Sequence, residues 1–398
     1  MKSLDYINLG EKYSAHNYLP LPVVLAKGEG VWVEDVEGRR YLDMLSSYSA
    51  LNQGHRHPKI LAAMQEQMGR LCLTSRAFHH DTFGPFCKTV TEACGMDKVL
   101  PMNSGAEAVE TAIKLCRRWG YAKKGVPEGK AEIIVCDGNF HGRTTTIVGF
   151  SPEKLYRDGF GPFTPGFKMI PYGDVSALEE AVTPNTVAFL VEPIQGEAGI
   201  RMPREGFLAA AREVCTRNDV LLMTDEIQTG LGRTGRLFCY EYDGIRPDVL
   251  IVGKALGGGC FPVSAALASR ELMSAFTPGN HGSTFGGNPL ACAVGKAAIE
   301  VIIEEKLPEN SFKMGEYLRS ELQKMNSPHV ADVRGKGLFV GVEVKPESGH
   351  ARAFCERLMG LGVLAKETHG TVIRLAPPLI ITKTEIDWAL DRIGQVLK

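Results

Sequence analysis

Two polar residues that close neighbouring apolar runs suggest the chemistry of this chain. Asp225 ends the run VLLMTD, and Lys254 ends the run VLIVGK further along. Parallel strands bring their carboxyl ends to one edge of a sheet, so we expect this carboxylate and this amine to meet there. In pyridoxal phosphate enzymes a lysine binds the cofactor covalently, and an acid pairs with the pyridine nitrogen. The two residues therefore predict pyridoxal phosphate as the cofactor without specifying a reaction.

The runs that carry these residues belong to a longer series of apolar strands separated by helical patterns. The predicted strands are KVLPMNS, EIIVCDG, VAFLVEPI, VLLMTDE, DVLIVGK and VSAALAS. Continuous apolar strands alternating with helices are typical of an α/β fold with a mainly parallel central sheet covered on both faces. Asn103 and Glu192 also fall at the carboxyl ends of strands, and we expect Glu192 to act only through its neighbours.

The pattern changes near residue 295, which indicates a second unit. The tail combines strands, GLFVGVEV and TVIRLAPPL, with helices, and Thr382 and Glu385 suit a capping box at its closing helix. Near the N-terminus, VWVEDVEGRRYLDM predicts a hairpin. We predict an N-terminal segment (1–45) that packs with a small α+β domain (296–398), and a large cofactor-binding domain (46–295).

Composition limits the classes of function. Lys and Arg total 45 against 46 for Asp and Glu, so the net charge of -1 gives no reason to expect a nucleic acid or membrane partner. No apolar run reaches bilayer-spanning length, and the N-terminus lacks the features of a signal or transit peptide. The ten cysteines form no CxxC pair. We predict a cytoplasmic protein that acts on small molecules.

A phosphate group fits the point where one predicted strand turns into a helix. At Ser104, Gly105 and Ala106 free N–H groups and the helix dipole would face outward. An ordinary helix cap would have the same sequence. A second candidate is HGSTFGGNPL, in which Ser283 and Thr284 offer hydroxyls among glycines, although a tight turn before a helix explains it equally well.

Two other motifs point elsewhere but are incomplete. Gly230, Gly232 and Gly235 form GxGxxG, the basis of a dehydrogenase hypothesis, yet no later strand ends in the acid that a ribose requires. Four histidines could suggest a metal, but no cysteine or carboxylate completes a ligand set, so we predict no metal site; they are His55, His57, His79 and His80.

Seven segments in order make the chain similar to the class-III pyridoxal-phosphate-dependent aminotransferases of fold type I. They are NSGAEAVETAIKL, NFHGRT, VEPIQGEAG, TDEIQTGLGRTG, GKALGGG, HGSTFGGNPLACAV and IRLAPPL. Within that class AHNYLPLP, SSYSALNQGH, LTSRAFHHD and RGKGLFVGVE resemble bacterial members that transfer the δ-amino group of ornithine to 2-oxoglutarate. The resemblance implies glutamate 5-semialdehyde and glutamate as products.

The resemblance implies a role for each motif residue. Lys254 and Asp225 would be catalytic, Phe140 would stack on the cofactor ring, and Gln228 would contact its phenolic oxygen. Thr284 would reach the phosphate from a second subunit, which implies a homodimer with the active site at the subunit interface. The full cofactor-binding set is Ser104, Gly105, Ala106, Phe140, His141, Asp225, Gln228, Lys254, Ser283 and Thr284.

The resemblance also implies a substrate site that accepts two differently oriented molecules. Arg143 would bind the α-carboxylate of ornithine and Arg374 that of 2-oxoglutarate, while Glu197 would mask Arg374 during the ornithine step. Tyr18 would contact the α-amino end of ornithine, and Tyr48 would shape the pocket around its chain.

One departure keeps other substrates open. We expect tryptophan at this position in eukaryotic ornithine enzymes. This chain has His141 instead, as N-acetylornithine aminotransferases do. These enzymes and the 4-aminobutyrate aminotransferases are the alternatives within the class. A non-catalytic descendant of the fold is a further alternative, disfavoured because the motif residues are all present.

Overall fold

The computed structural model describes residues 1–398 and contains fifteen strands and fourteen α-helices. The strands are β1 (Leu25–Glu29), β2 (Trp32–Asp35), β3 (Arg40–Asp43), β4 (Lys98–Met102), β5 (Glu132–Cys136), β6 (Phe167–Ile170), β7 (Thr186–Val191), β8 (Leu221–Asp225), β9 (Val249–Val252), β10 (Ser264–Ala268), β11 (Val330–Lys336), β12 (Phe339–Val344), β13 (Val363–Leu364), β14 (Lys366–Thr368) and β15 (Val372–Leu375).

The helices lie between and around these strands. They are α1 (Ser3–Tyr13), α2 (Ser46–Ser49), α3 (Pro58–Met68), α4 (Phe83–Cys94), α5 (Gly105–Trp119), α6 (Thr145–Gly149), α7 (Lys154–Arg157), α8 (Val175–Ala181), α9 (Phe207–Arg217), α10 (Arg270–Met273), α11 (Pro289–Glu304), α12 (Leu307–Lys324), α13 (Ala351–Gly360) and α14 (Lys383–Leu397). None of them is both long and apolar enough to cross a membrane.

The central sheet has seven strands in the order β4-β10-β9-β8-β7-β5-β6, and β10 alone runs against the others. Successive residues of β8 pack into different cores: Leu222 joins the core that contains α9, and Met223 joins the core that contains α5. Helices therefore cover both faces, and the predicted α/β fold with a mainly parallel sheet is confirmed.

Two smaller sheets lie outside the central one. The sheet β11-β12-β15-β14 is antiparallel, and β15 delivers Arg374 from it. In the other, the hairpin of β2 and β3 is joined by β1 and, in parallel, by β13 from the tail. At the closing helix, Thr382 and Glu385 form the expected capping box. The division at residues 45 and 295 stays a prediction, and residue 295 lies within α11.

The glycine-rich loop after β8 does not open a helix. Gly232 and Gly235 adopt positive φ angles of 92° and 94°, and only a short 3₁₀ turn, Cys239–Asp243, follows. A dinucleotide-binding loop requires a helix whose N-terminus faces the pyrophosphate. The loop therefore lacks the geometry on which the dehydrogenase hypothesis depends.

Candidate active site

Asp225 and Lys254 meet at the carboxyl edge of the central sheet, because β8 and β9 are adjacent and parallel. Both line a cavity of about 200 Å³. Its other lining residues come from the start of α5, the loop after β5, the end of β7 and the loop after β8: Gly105, Ala106, Phe140, His141, Gly142, Glu192, Ile194, Ile227, Gln228 and Thr229. Sequence motifs far apart in the chain thus form one pocket.

The backbone holds Lys254 in an unusual conformation. Its φ is 44°, a left-handed value that a lysine rarely adopts, and a short 3₁₀ turn begins at this residue. Strained backbone of this kind persists where the surrounding structure fixes it, often at active sites. Burial lowers the pKa of the Lys254 amine, although the carboxylates of Glu197 and Asp225 oppose the shift. The amine makes no hydrogen bond within the chain and faces the cavity.

A buried histidine orients Asp225. His141 Nδ1 lies 2.7 Å from Asp225 Oδ2, and the N–H of Ile227 donates to Oδ1 at 3.0 Å. Burial would lower the pKa of His141, but the bond to the Asp225 carboxylate raises it above its usual value. His141 Nε2 is buried without a partner, so the contact of Nδ1 with Asp225 is the polar contact of this ring, and it fixes the carboxylate that lines the cavity.

Glu192 is a second buried carboxyl in this pocket, and the charge of the nearby His141 only partly offsets the effect of its burial. Burial raises its pKa to about 7, and its Oε1 accepts the N–H of Phe140 at 2.9 Å. It therefore fixes the backbone of the residue predicted to stack on the cofactor ring. The sequence correctly predicted that Glu192 lies at the carboxyl edge of the sheet, but it gave no signal for this hydrogen bond.

The start of α5 has the geometry predicted for a phosphate site. Ser104 caps the helix, and Glu107 completes the capping box. Gly105 and Ala106 follow in the first turn, where N–H groups have no partner inside the helix. Ser104 and Gly105 also line a neighbouring cavity of about 500 Å³ that reaches Lys254. An anion bound here would therefore lie beside the Lys254 amine.

The second phosphate candidate is only partly brought to this place. Ser283 Oγ accepts a hydrogen bond from the side chain of Asn103 at 3.0 Å, next to the start of α5. Thr284 is exposed and lines neither cavity. Within one chain Thr284 does not join the site, and its predicted contribution to a second subunit stays a prediction.

Arg374 and Glu197 form a close ion pair on one side of the pocket. Arg374 Nη1 and Nη2 donate to the two Glu197 oxygens at 2.8 and 3.0 Å, and the Gln228 amide donates to Glu197 at 3.2 Å. Arg374 is 1% exposed. Burial would raise the pKa of Glu197, but Arg374 lowers it to about 2, so both partners are charged at neutral pH.

Tyr48 reaches this pair from a left-handed turn. Four consecutive residues, Ser46 to Ser49, have φ between 48° and 73° without a glycine among them. The carboxylate of Asp43 secures the turn by accepting the N–H groups of Leu45 and Ser46 at 2.9 and 2.8 Å. The ring of Tyr48 consequently lies 5.2 Å from the Arg374 guanidinium.

Arg143 lies next to Phe140, which lines the cavity, and no carboxylate is bonded to it. It forms no ion pair and no hydrogen bond within the chain, and it is exposed. Three aromatic rings surround its guanidinium, with ring centres at 4.8 Å for Tyr156 and 5.8 Å for both Tyr18 and Phe140. The sequence singled out Tyr18 and Phe140 here but not Tyr156.

These groups fit pyridoxal phosphate in chemistry and in arrangement. An amine held near a carboxylate, an aromatic ring and an open helix start converge on connected cavities. In the same region Gly196 leaves room for Gln228, because a Cβ at that position would lie 1.9 Å from the amide oxygen. The pocket can hold a phosphorylated aromatic aldehyde, and two arginines adjoin its lining, Arg374 through Gln228 and Arg143 through Phe140.

The family model described as "Aminotransferase class-III" matches residues 13–397. The chain therefore belongs to the class-III aminotransferases, which use pyridoxal phosphate. The predicted family and cofactor are confirmed.

Individual relatives narrow the class. The chain is 59% identical to the ornithine aminotransferase of Brevibacillus brevis over 387 residues, 97% of this chain and 96% of that protein. It is similar to a solved ornithine aminotransferase of Toxoplasma gondii, with a TM-score of 0.98, 44% identity and coverage of 100% and 94%. An acetylornithine aminotransferase from Elizabethkingia anophelis is also similar, with a TM-score of 0.91, 49% identity and coverage of 100% and 99%.

Proposed function

We propose that this chain transfers the δ-amino group of L-ornithine to 2-oxoglutarate, giving glutamate 5-semialdehyde, which cyclises to pyrroline-5-carboxylate, and glutamate. The observation that carries the proposal is the unequal state of the two pocket arginines. Arg143 is unpaired, whereas the guanidinium of Arg374 is occupied by Glu197. A substrate with its carboxylate far from the reacting amine fits a pocket with one open arginine on the far side.

The proposed cofactor contacts follow from the lining of the pocket. Lys254 would hold pyridoxal phosphate, Asp225 would pair with the pyridine nitrogen, and Ser104, Gly105 and Ala106 would bind the phosphate. When bound, the cofactor supplies an electron sink for the carbanion left after the substrate C–H bond breaks. Lys254 Nζ is the group that removes this proton, since its lowered pKa favours the neutral amine that a base requires.

In the ornithine half-reaction the substrate lies between Arg143 and Lys254. Arg143 receives the α-carboxylate through two N–H donors, and Tyr18, whose ring lies beside the guanidinium, would contact the α-amine. Glu197 keeps Arg374 neutralised, so that the α-carboxylate is not drawn to the wrong end of the pocket. The δ-carbon is thereby presented to Lys254.

In the second half-reaction the α-carbon of 2-oxoglutarate must reach the same position. Its carboxylate is adjacent to the reacting carbon, so it requires a cation close to Lys254. Arg374 supplies that cation once the Glu197 side chain swings away, and Tyr48 forms the wall against which the guanidinium packs.

We further propose a homodimer with the active site at the subunit interface. The exposed position of Thr284 and the exposed rings of Phe78 and Phe285 support this assembly. A cytoplasmic location is supported by ten free cysteines, most of them buried and none disulfide-bonded. The division into a segment 1–45, a large domain 46–295 and a small domain 296–398 remains part of the proposal.

The test is a side-by-side assay of ornithine, N-acetylornithine and 4-aminobutyrate with 2-oxoglutarate, in wild type and in Lys254→Ala. We expect ornithine to have the highest kcat/KM, and Lys254→Ala to lose both turnover and the visible absorption of covalently bound cofactor. A preference for N-acetylornithine would favour the enzymes that share His141. Wild-type turnover by Lys254→Ala would contradict the assignment of the lysine.

A further inference from the structure

The guanidinium of Arg143 is held by aromatic rings alone, and the nearest of them belongs to a residue without an assigned role. The ring centre of Tyr156 is 4.8 Å from Arg143 Cζ, against 5.8 Å for each of the other two rings. A cation over a ring face is attracted without being neutralised. Its N–H donors therefore remain available to a ligand, which a carboxylate partner would prevent.

A short helix places Tyr156 beside Arg143. Tyr156 lies in α7 and is half-buried, whereas Leu155 beside it is 83% exposed. Its ring also meets Phe140 edge-on, with ring centres 6.0 Å apart and planes at 71°. Tyr156 thus touches both the free guanidinium and the ring predicted to stack on the cofactor.

The hydroxyl of Tyr156 takes no part in this arrangement. It makes no hydrogen bond within the chain, so neither Arg143 nor Phe140 depends on it. The packing contribution comes from the ring, and phenylalanine preserves a ring of the same shape. The ring and the hydroxyl can therefore be separated by substitution.

We propose that Tyr156 is a positioning residue that determines specificity: its ring orients the Arg143 guanidinium toward the α-carboxylate of substrates that carry this group remote from the reacting amine. The proposal rests on the proposed function for its substrate, since Arg143 is the assigned carboxylate site. Tyr156 acts through Arg143. The ring over Arg374 belongs to Tyr48, and Arg374 pairs with Glu197, so we expect no effect of Tyr156 there.

The experiment uses holoenzyme of wild type, Tyr156→Leu and Tyr156→Phe, with Tyr121→Leu as a matched control away from the pocket. We expect Tyr156→Leu to raise KM for ornithine about fivefold, the upper range of an exposed cation–π contact, while kcat and KM for 2-oxoglutarate stay within about twofold. Tyr156→Phe and Tyr121→Leu should resemble wild type. A purely structural role would change the kinetic constants of both substrates.

Calorimetric titration with L-norvaline gives a second readout that does not depend on turnover. Norvaline has the carboxylate and α-amine of ornithine but no δ-amine, and we expect its Kd to rise about fivefold in Tyr156→Leu alone. An unchanged Kd in Tyr156→Leu would overturn the proposal, and so would a Tyr156→Phe variant as weak as Tyr156→Leu. A wild type that binds norvaline but does not turn over ornithine would contradict the proposed function, and the norvaline comparison would still decide the role of Tyr156.

Discussion

The two arginines of the pocket carry the same charge in opposite environments. Arg374 is delivered by strand β15, is 1% exposed and is neutralised by a bidentate contact with Glu197. Arg143 lies in a loop between β5 and α6, is exposed and touches only aromatic rings. Arg374 can bind a substrate carboxylate only after Glu197 moves away, whereas Arg143 is always free to bind one.

The difference shows how one pocket can accept two orientations of substrate. A buried arginine without a counter-charge is costly, so Arg374 requires Glu197 whenever no substrate carboxylate is present. An exposed arginine has no such need, because water and aromatic faces solvate it. The pocket therefore has a fixed binding end and a switchable one, and three experiments separate them.

The largest effect is expected at the fixed end. Arg143→Gln removes the only open cation, and the loss of hydrogen bonds to a charged carboxylate, about 2–3 kcal/mol, should lower kcat/KM for ornithine by about 100-fold. The reaction with 2-oxoglutarate should change less than about threefold, since Arg374 is intact. Each half-reaction is measured alone by rapid-mixing absorbance spectroscopy.

Arg204→Gln is the matched control for this prediction, because Arg204 is also an exposed arginine without an ion pair but lies outside the pocket. It should behave as wild type in both half-reactions. Equal losses with ornithine and 2-oxoglutarate in Arg143→Gln would show that the two ends of the pocket are not separate.

A smaller effect, a gain of activity with glutamate, is expected at the switchable end. Glu197→Gln leaves Arg374 without its counter-charge, so that amino acids whose amine is adjacent to the carboxylate gain a free cation. The ratio of kcat/KM for glutamate to that for ornithine should rise about tenfold, because kcat/KM for glutamate increases. Arg143→Gln should also raise this ratio, but only because kcat/KM for ornithine falls. A ratio that stays at the wild-type value would mean that Glu197 does not mask Arg374.

The sequence predicted the reacting groups of the site better than it predicted the structural elements around them. Asp225 and Lys254 end fully buried strands, where apolar patterning is strongest, and Ser104 begins a helix with a capping box; these signals are local. Strand β6 was not predicted, because it is a short edge strand with two exposed residues between the half-buried Phe167 and the buried Ile170. Its pattern differs little from that of a loop.

The parts of the site that the sequence missed depend on long-range contacts or unusual backbone. No glycine marks the left-handed turn at Ser46 to Ser49, so turn chemistry gives no warning of it. Tyr156 reaches Arg143 only because α7 packs beside the loop that carries Arg143, which no periodicity encodes. The pairing of Arg374 with Glu197 was available only through the family resemblance. Local signals therefore identified the reacting groups, and tertiary structure was needed to find what orients them.

The smallest expected effect is a pH dependence of stability that comes from the ion pair of Glu197 and Arg374 and has no counterpart at Arg143. The pKa of Glu197 is lowered to about 2 from the ordinary value of 4.5, so its contribution to stability is complete above about pH 4.5 and is lost as the pH falls toward 2. The stability difference between wild type and Glu197→Gln should be constant from pH 6 to 8 and shrink by up to about 1 kcal/mol at pH 4.

Urea unfolding of the holoenzymes at pH 8, 6, 5 and 4 measures this difference, and Arg143→Gln is its control. Because Arg143 has no carboxylate partner, the difference between wild type and Arg143→Gln should not vary over the same range. If the stability difference between wild type and Glu197→Gln stayed constant down to pH 4, the ion pair would not make stability depend on pH. The blocking of Arg374 would then need another cause. If the stability difference between wild type and Arg143→Gln also shrank at low pH, a carboxylate would have to approach Arg143 in solution. Arg143 would then not be an open arginine, and the contrast with Arg374 would be wrong.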